Sequence, residues 1–270
     1  MRHRCVTHNK MLRRIILFYG AIACLFAQSK KFDVASIKPN AEKDNRFMMP
    51  GGPQGGTYRA TGVTLKMLIM YAYGVPAAFQ VSGGPSWIGT ERWDIQAKVE
   101  EETPPRDRFL QLLRALLEDR FQLKVRRETK EMPVYELAVA KSGSKLKPHS
   151  GDPPKPEDRL RVGFGSMRFQ DSGLGLLAYQ LSLQLGRKVT DKTGLTGQYD
   201  FTLEWAPEPG QGGLESIGLP PDPSLKFPPT DPNRPSIFTA IQELLGLRLD
   251  SEKGPVDMIV IDSVERPSEN

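Results

Sequence analysis

The chain has 270 residues, 39% of them hydrophobic and 26% charged, enough for one large or two small domains with their own cores. Its formal charge of +5 belongs to the leader: residues 1–27 hold Arg2, Arg4, Lys10, Arg13 and Arg14 and no acid, which leaves 32 basic residues against 32 acidic ones. A neutral body without a basic block argues against nucleic acid as a partner, and Cys5 and Cys24, both within the leader, leave no disulfide framework for the rest.

The first predicted element is an export signal. "MLRR" supplies a positive start, "IILFYGAIACLFA" the apolar run, and Ala27 a small residue before the polar "QSKK". The run is shorter than the roughly 20 apolar residues a membrane span needs, so no transmembrane helix is expected in the mature chain. Ala21, Ile22 and Ala23 before Cys24 form a loose lipobox, which makes a lipid anchor at Cys24 the alternative processing product. Met11 is a second candidate start, because the ten residues before it add nothing such a leader needs.

Four helix-plus-strands units follow. In the first, Leu65, Leu68, Ile69 and Ala72 fall on one helical face, with Thr61 or Thr64 as N-cap and Gly74 as the stop. "FQVSG" and "RWDIQAKV" then alternate as strands. The second unit opens with Thr103 and Pro104 before a stripe of Phe109, Leu112, Leu113, Leu116 and Leu117, and continues as strands "FQLKVRRE" and "VYELAVA". The third places Leu174, Leu177, Ala178, Leu181 and Leu185 at helical spacing before Gly186, then "KVTD" and "YDFTLEW". The fourth runs from Ser236 as cap to Gly246 as stop, with strands "LRLDSE" and "VDMIVIDSV" joined by a tight "KGP" turn.

Units three and four read as a repeat of one and two, over residues 57–140 and 167–264. The predicted fold is therefore α+β: two tandem similar halves, each with two helices packed on a mostly antiparallel sheet. The first half spans residues 28–141, a linker 142–166, and the second half 167–270. Within the second, residues 206–235 hold nine prolines in thirty positions, a density that excludes helix and central strand and marks an inserted loop.

Few parts for catalysis are present. Only His149 remains beyond the leader, in "KPHSGDPPKPED", where a solvated loop residue is the expected role. A zinc site, a Ser-His-Asp triad and a Cys-His pair each lack members. Ser142 and Lys145 in "SGSK" fit Ser-x-x-Lys, and "KTG" at 192–194 fits a second signature of penicillin-recognising enzymes. The nucleophile of such an enzyme opens a buried helix, whereas Gly143 and Pro148 surround Ser142. Carboxylate neighbours such as Asp191 with Asp200, or Glu91 with Asp94, are common by chance among 32 acids. Trp93-Asp94 and Tyr199-Asp200 read as strand starts with a buried ring and an Asp that satisfies backbone amides. "PGGPQGG" lacks the ending of a phosphate-binding loop.

The blocks "FDVASIKPN", "VTLKMLIMYAYGV", "VSGGPSWIGTERWDIQAKV", "LGRKVTDKTGLTGQYDFTLEW" and "IFTAIQELLGLRLDSEKGPVDMIVIDSVERPSEN", with the region of residues 112–141 between them, resemble a soil-bacterial, acidobacterial (Solibacter-type) family of conserved hypothetical proteins catalogued as a domain of unknown function. The resemblance covers about residues 32–270. Similar domains also stand behind membrane metallopeptidases of the penicillin-sensor type, which implies an envelope location and assigns no chemistry. A looser similarity links "IQELLGLRLDSEKGPVDMIVIDSV" to the short front modules of secretins and TonB-dependent receptors, which work as protein contacts; it supports a fold more than a role.

The sequence thus predicts a periplasmic or secreted binding or protein-interaction module without cofactor or metal, whose partner is an envelope protein or ligand. The alternative is a hydrolase using carboxylates or the Ser142–Lys145 pair. The expected contact site is aromatic. Tyr71, Tyr73, Phe79 and Trp87 gather around Gly74, Gly83 and Gly84; either Tyr71, Phe79 and Trp87 close the core, or Tyr73 and Trp87 stand exposed together as an anchor. For processing, the mature chain should begin near Gln28, or near Cys24 if lipidated. N-terminal sequencing and intact mass of exported protein check this, and retention of residues 1–23 would contradict both forms.

Overall fold

The computed structural model describes residues 31–41, 47–49, 51–208, 211–219, 231 and 233–267; the expected leader, with Cys24, lies outside them. In chain order the strands are β1 (Val34–Pro39), β2 (Thr57–Thr64), β3 (Val81–Gly83), β4 (Arg92–Lys98), β5 (Lys124–Val139), β6 (Lys147–Pro148), β7 (Leu160–Gly163), β8 (Ser166–Ser172), β9 (Val189–Asp191), β10 (Tyr199–Glu204) and β11 (Leu247–Ser263). Four helices accompany them: α1 (Leu65–Tyr73), α2 (Arg106–Arg120), α3 (Leu174–Leu185) and α4 (Ile237–Leu245). The fold is α+β, with three sheets ordered β1-β4-β2, β6-β10-β8-β7 and β3-β11-β5-β9.

Helix boundaries follow local chemistry. Thr64 rather than Thr61 caps α1, its hydroxyl accepting from the Met67 amide at 3.2 Å, and Ser236 caps α4 in the same way through Thr239. Gly74, Gly186 and Gly246 end three helices in the left-handed conformation that carries no steric cost for glycine. Thr103 does not cap α2, whose N-cap is Pro105 without a side-chain bond. Leu113 on α2 and Leu177 on α3 are fully buried, as the apolar stripes require.

The largest departure from expectation concerns the long strands. "KGP" at 253–255 makes no turn; it runs straight through β11, with Lys253, Gly254 and Pro255 opposite Pro133, Met132 and Glu131 of β5. The other edge of β11 is open at that point, since β3 pairs only with residues 259–261, and an open edge tolerates a proline's missing N–H. The expected pair of strands in 121–140 likewise becomes one strand.

This continuity joins the halves. Val125 of β5 packs on a first core built from α1, α2, β2 and β4, while Leu137 belongs to a second core built from α3, α4, β8 and β10. β11 runs the other way, from Leu247 in the second core to Ile259 and Ile261 in the first. Each half also gives a short strand to the other. β3 lies parallel to β11 with Val81 opposite Ile259, and β9 lies parallel to β5 with Val189 opposite Tyr135. Strand pairing therefore crosses the boundary expected at 141/142, and residues 142–166, expected as a linker, carry β6 and β7. The proline-rich insert is anchored too: Thr64 donates to the Gly218 carbonyl at 2.7 Å and Leu219 is buried in the first core.

Two carboxylates latch the sheets at matching irregularities. Where β2 bulges against β4, Asp94 Oδ1 accepts from the amide of Gly62 (φ 62°) at 2.9 Å and from Asn40 Nδ2 at 2.8 Å. Where β8 meets β10 irregularly, Asp200 Oδ1 accepts from the amide of Asp171 (φ 46°) at 2.9 Å, and His149 Nδ1 lies 2.9 Å from both Asp200 oxygens. The left-handed backbone that glycine takes freely is taken here by aspartate, one of the few side-chain-bearing residues to visit it. His149 is thus no free loop residue.

Two predictions follow from this packing. Leu113→Ala or Leu177→Ala should each cost about 2–5 kcal/mol, and because β5 and β11 tie both cores together each variant should still unfold in a single urea transition. The second concerns pH. The hydrogen bond to Asp200 raises the His149 pKa above its ordinary 6.5, against the cost of burial and with help from Asp171, itself paired with Arg159. Asp200 is held below the ordinary 3.8 chiefly by the Asp171 amide, then by His149 and Arg168. A raised histidine stabilises fully below 6.5, and that stabilisation is lost as pH rises through the folded value. A lowered carboxylate stabilises above 3.8, and the effect is lost as pH falls through its folded value. Urea midpoints should therefore decline above pH 6.5 in the native chain, and His149→Asn should flatten that limb; an unchanged profile in the variant would contradict the assignment.

Candidate functional site

The site is built on the last turn of α1. Its apolar face buries Leu65, Met67, Leu68, Ile69, Met70 and Ala72, which leaves Tyr71 and Tyr73 half-buried. Two residues apart on a helix, side chains point about 200° apart, so the two phenols open onto different surfaces.

Tyr71 forms one wall of a recess of about 520 Å³. Its hydroxyl donates to the Gly51 carbonyl at 2.5 Å, which fixes residues 51–54 as the rim. The ring of Phe109 from α2 forms the floor, with centroids 6.2 Å from Tyr71 and 4.9 Å from Tyr58. Behind it the hydroxyl of the fully buried Tyr58 has no hydrogen-bond partner among the described residues; burial, then the neighbouring Tyr71, pushes its pKa upward. Gly52, Pro53, Gln54, Thr103, Pro104 and Arg106 complete the lining. Arg106 is the first residue of α2, and its charge acts on Tyr71 and on Tyr179 of α3, opposing the rise that burial gives both phenols.

Tyr73 lines a shallower groove of about 460 Å³ with Glu118, Leu123, Lys124 and Val125. The carbonyl end of α1 is held there by cations: Arg114 Nε donates to Ala72 O at 2.6 Å, Arg127 donates to Tyr73 O at 2.8 Å, and the Arg114 guanidinium lies 5.3 Å over the Tyr73 ring. Trp87 is elsewhere. A single turn of 3-10 helix, Ser86–Gly89, lays it on Phe121 with centroids 6.4 Å apart and 22° between planes, and it is only 8% exposed. Arg266 covers its other face at 5.0 Å while bonding Glu91 through two nitrogens. Trp87 and Tyr73 therefore do not form a joint exposed anchor, because one ring is sandwiched in the first core. Phe79 packs on a small third cluster of Val134, Val256 and Met258.

The residues weighed for hydrolysis are engaged separately. Ser142 sits exposed in the turn after β5, and the Lys145 ammonium donates to the Glu243 carbonyl at 2.7 Å at the end of α4. Thr193 of "KTG" closes a turn on Asp191. Glu91 binds Arg266, Asp94 binds Asn40 and Gly62, and Asp200 binds His149, so neither expected carboxylate pair forms a unit of its own. Among the described residues, no group of three or more His, Cys, Asp or Glu is placed to hold a metal ion, and no helix is long and apolar enough to cross a membrane.

Sequence reasoning missed Arg106 and Phe109 as lining residues. Phe109 reads as core from its spacing, and nothing local marks Arg106 among four arginines on the same helix; the "PGGPQGG" rim and Tyr71 were the only signals.

No curated protein and no solved structure matches the chain. A family model does, over residues 66–264, from α1 to the end of β11, and that match covers well over half the sequence. The chain belongs to the family described as protein of unknown function, DUF3738.

Proposed function

We propose that this is an exported cell-envelope protein that works by binding rather than by bond chemistry, with the Tyr71–Phe109–Arg106 recess as its contact site. The observation that carries the reading is the recess itself: about 520 Å³, within the range of roughly 300–1,000 Å³ usual for ligand sites, with ring-bearing walls and one charged group. Export is supported by the positive, then apolar, leader. Against the hydrolase alternative stands the Lys145 ammonium, which is spent on a helix end rather than on Ser142.

The same reading takes the two halves as copies of one unit. Supporting it, Pro39 faces Trp93 as Pro148 faces Tyr199, the Asn40 amide bonds Arg92 O as the His149 amide bonds Gln198 O, each at 2.8 Å, and the shared sheet reads the same from either edge. An experimental structure in which the halves fail to superpose on these pairings would remove it.

Fragment screening by amide-detected NMR on the full chain tests the site. Hits should shift Gly51, Gly52 and Thr103, and Tyr71→Ala, with an otherwise native spectrum, should abolish those shifts. Hits gathered on the Tyr73 groove, or on no single place, would overturn the assignment.

A further inference from the structure

We propose that the recess takes a ligand carrying a carboxylate on an apolar, ring-sized body, and that Arg106 receives the carboxylate. This rests on the recess being the contact site.

The first reason is the state of the arginines. Of the four on α2, Arg108 bonds Glu101 at 3.0 Å, Arg114 bonds the Ala72 carbonyl and Arg120 bonds the Ala35 carbonyl at 3.1 Å. Arg106 makes no hydrogen bond or ion pair among the described residues. Its electrostatic neighbours are Tyr71 and Tyr179, whose pKa values burial raises, so both stay neutral at ordinary pH and neither cancels its charge. Arg106 is itself solvent-exposed; of the acids near it among the described residues, Glu101 is occupied by Arg108, and Glu102 and Asp107, exposed as well, make no ion pair with it.

The second reason is the wall. Pro53, Pro104, Tyr71 and Phe109 present rings, the Tyr71 hydroxyl being engaged by the Gly51 carbonyl, while Thr103 and Gln54 add one hydroxyl and one neutral carboxamide. A single guanidinium set beside such walls matches a single carboxylate, whose two oxygens meet two parallel N–H groups of the fork. A dianion would keep an uncompensated charge against apolar surface, which is costly. The rim leaves room for the body of the ligand. A β-carbon on Gly52 would come 3.9 Å from Phe109 Cδ1, and one on Gly51 3.7 Å from the Tyr71 hydroxyl, ordinary contacts, so any larger side chain there would reach across the mouth. Neither glycine has the positive φ that would forbid a side chain, so filling the mouth need not disturb the fold.

The test titrates the full chain, by amide shifts of Gly51, Gly52, Thr103 and Arg106, with N-acetylphenylalanine, with its carboxamide, and with a phenylalanine-ended pentapeptide in free-acid and amidated forms. Acids should bind about tenfold or more tighter than the matching amides, as one charge-assisted contact implies. Arg106→Gln should erase the difference, Arg106→Lys should keep part of it, and Gly52→Leu should abolish binding of every probe. If only the peptide acid binds, the carboxylate is a polypeptide end; if only the small acid binds, it is a free acid. Equal binding of acid and amide at the recess would overturn the role of Arg106 while leaving the contact site standing. Inorganic phosphate matching the acids would overturn the ring-sized body, and no shift with any probe would overturn the ligand class.

Discussion

Fifteen consecutive pairings between β5 and β11, with a sixteenth beyond a shift in register, hold this molecule together. The two strands run antiparallel from one core to the other, so each contributes apolar side chains to both: Val125 and Leu137 on one, Leu247 and Ile259 on the other. Along the ribbon Arg126, Arg127, Lys130, Glu131, Glu252 and Lys253 face solvent, while Val134, Val256 and Met258 form a small third cluster with Phe79. Beyond the short partners β3 and β9 its outer edges are open, and Lys, Pro133 and Pro255 along them oppose pairing with another chain. The cores are therefore separate in space and joined by backbone hydrogen bonds, which makes the whole cooperative although its apolar contacts fall into distinct clusters.

Within that frame the two sheet latches solve one geometric problem with different chemistry. A strand that bulges leaves an amide without a ladder partner, and a carboxylate on the neighbouring strand supplies the acceptor. In the first sheet the set is Gly62, Asp94 and Asn40, neutral apart from the carboxylate and free of strain. In the second it is Asp171, Asp200 and His149, with a left-handed aspartate and a titratable imidazole. The second latch thus brings a proton equilibrium into the support of β10, on the opposite side of the chain's organisation from the α1–α2 recess.

The candidate site depends on the first core more than on any loop. Phe109 is fixed by Tyr58 and by α2, Tyr71 by its bond to Gly51, and the Gly218 anchor from the second half closes over the start of α1. A floor and a rim that are both held in place favour a small, shaped ligand over a broad protein surface, because little ordering entropy remains to be lost on binding. The Tyr73 side is different in kind: there the cations are already tied to helix carbonyls, and the groove is shallow and mixed in charge.

What the sequence by itself determined was local. The 3.6-residue apolar spacing placed the four described helices, and Thr61 or Thr64, Ser236 and the stop glycines marked helix ends, since each depends on residues within a turn or two of one another; the aromatic-Asp pairs marked strands, but the amides that their carboxylates satisfy, those of Gly62 and Asp171, lie 32 and 29 residues away. Tertiary structure alone decided that "KGP" runs straight, because strand continuity there comes from β5 pairing across more than a hundred residues and overrides the turn preference of Gly-Pro. It alone decided that Trp87 is covered, since Phe121 and Arg266 arrive from distant segments. It alone singled out Arg106, since the absence of an ion pair to it among the described residues is a property of everything around it and of nothing in its own stretch of chain.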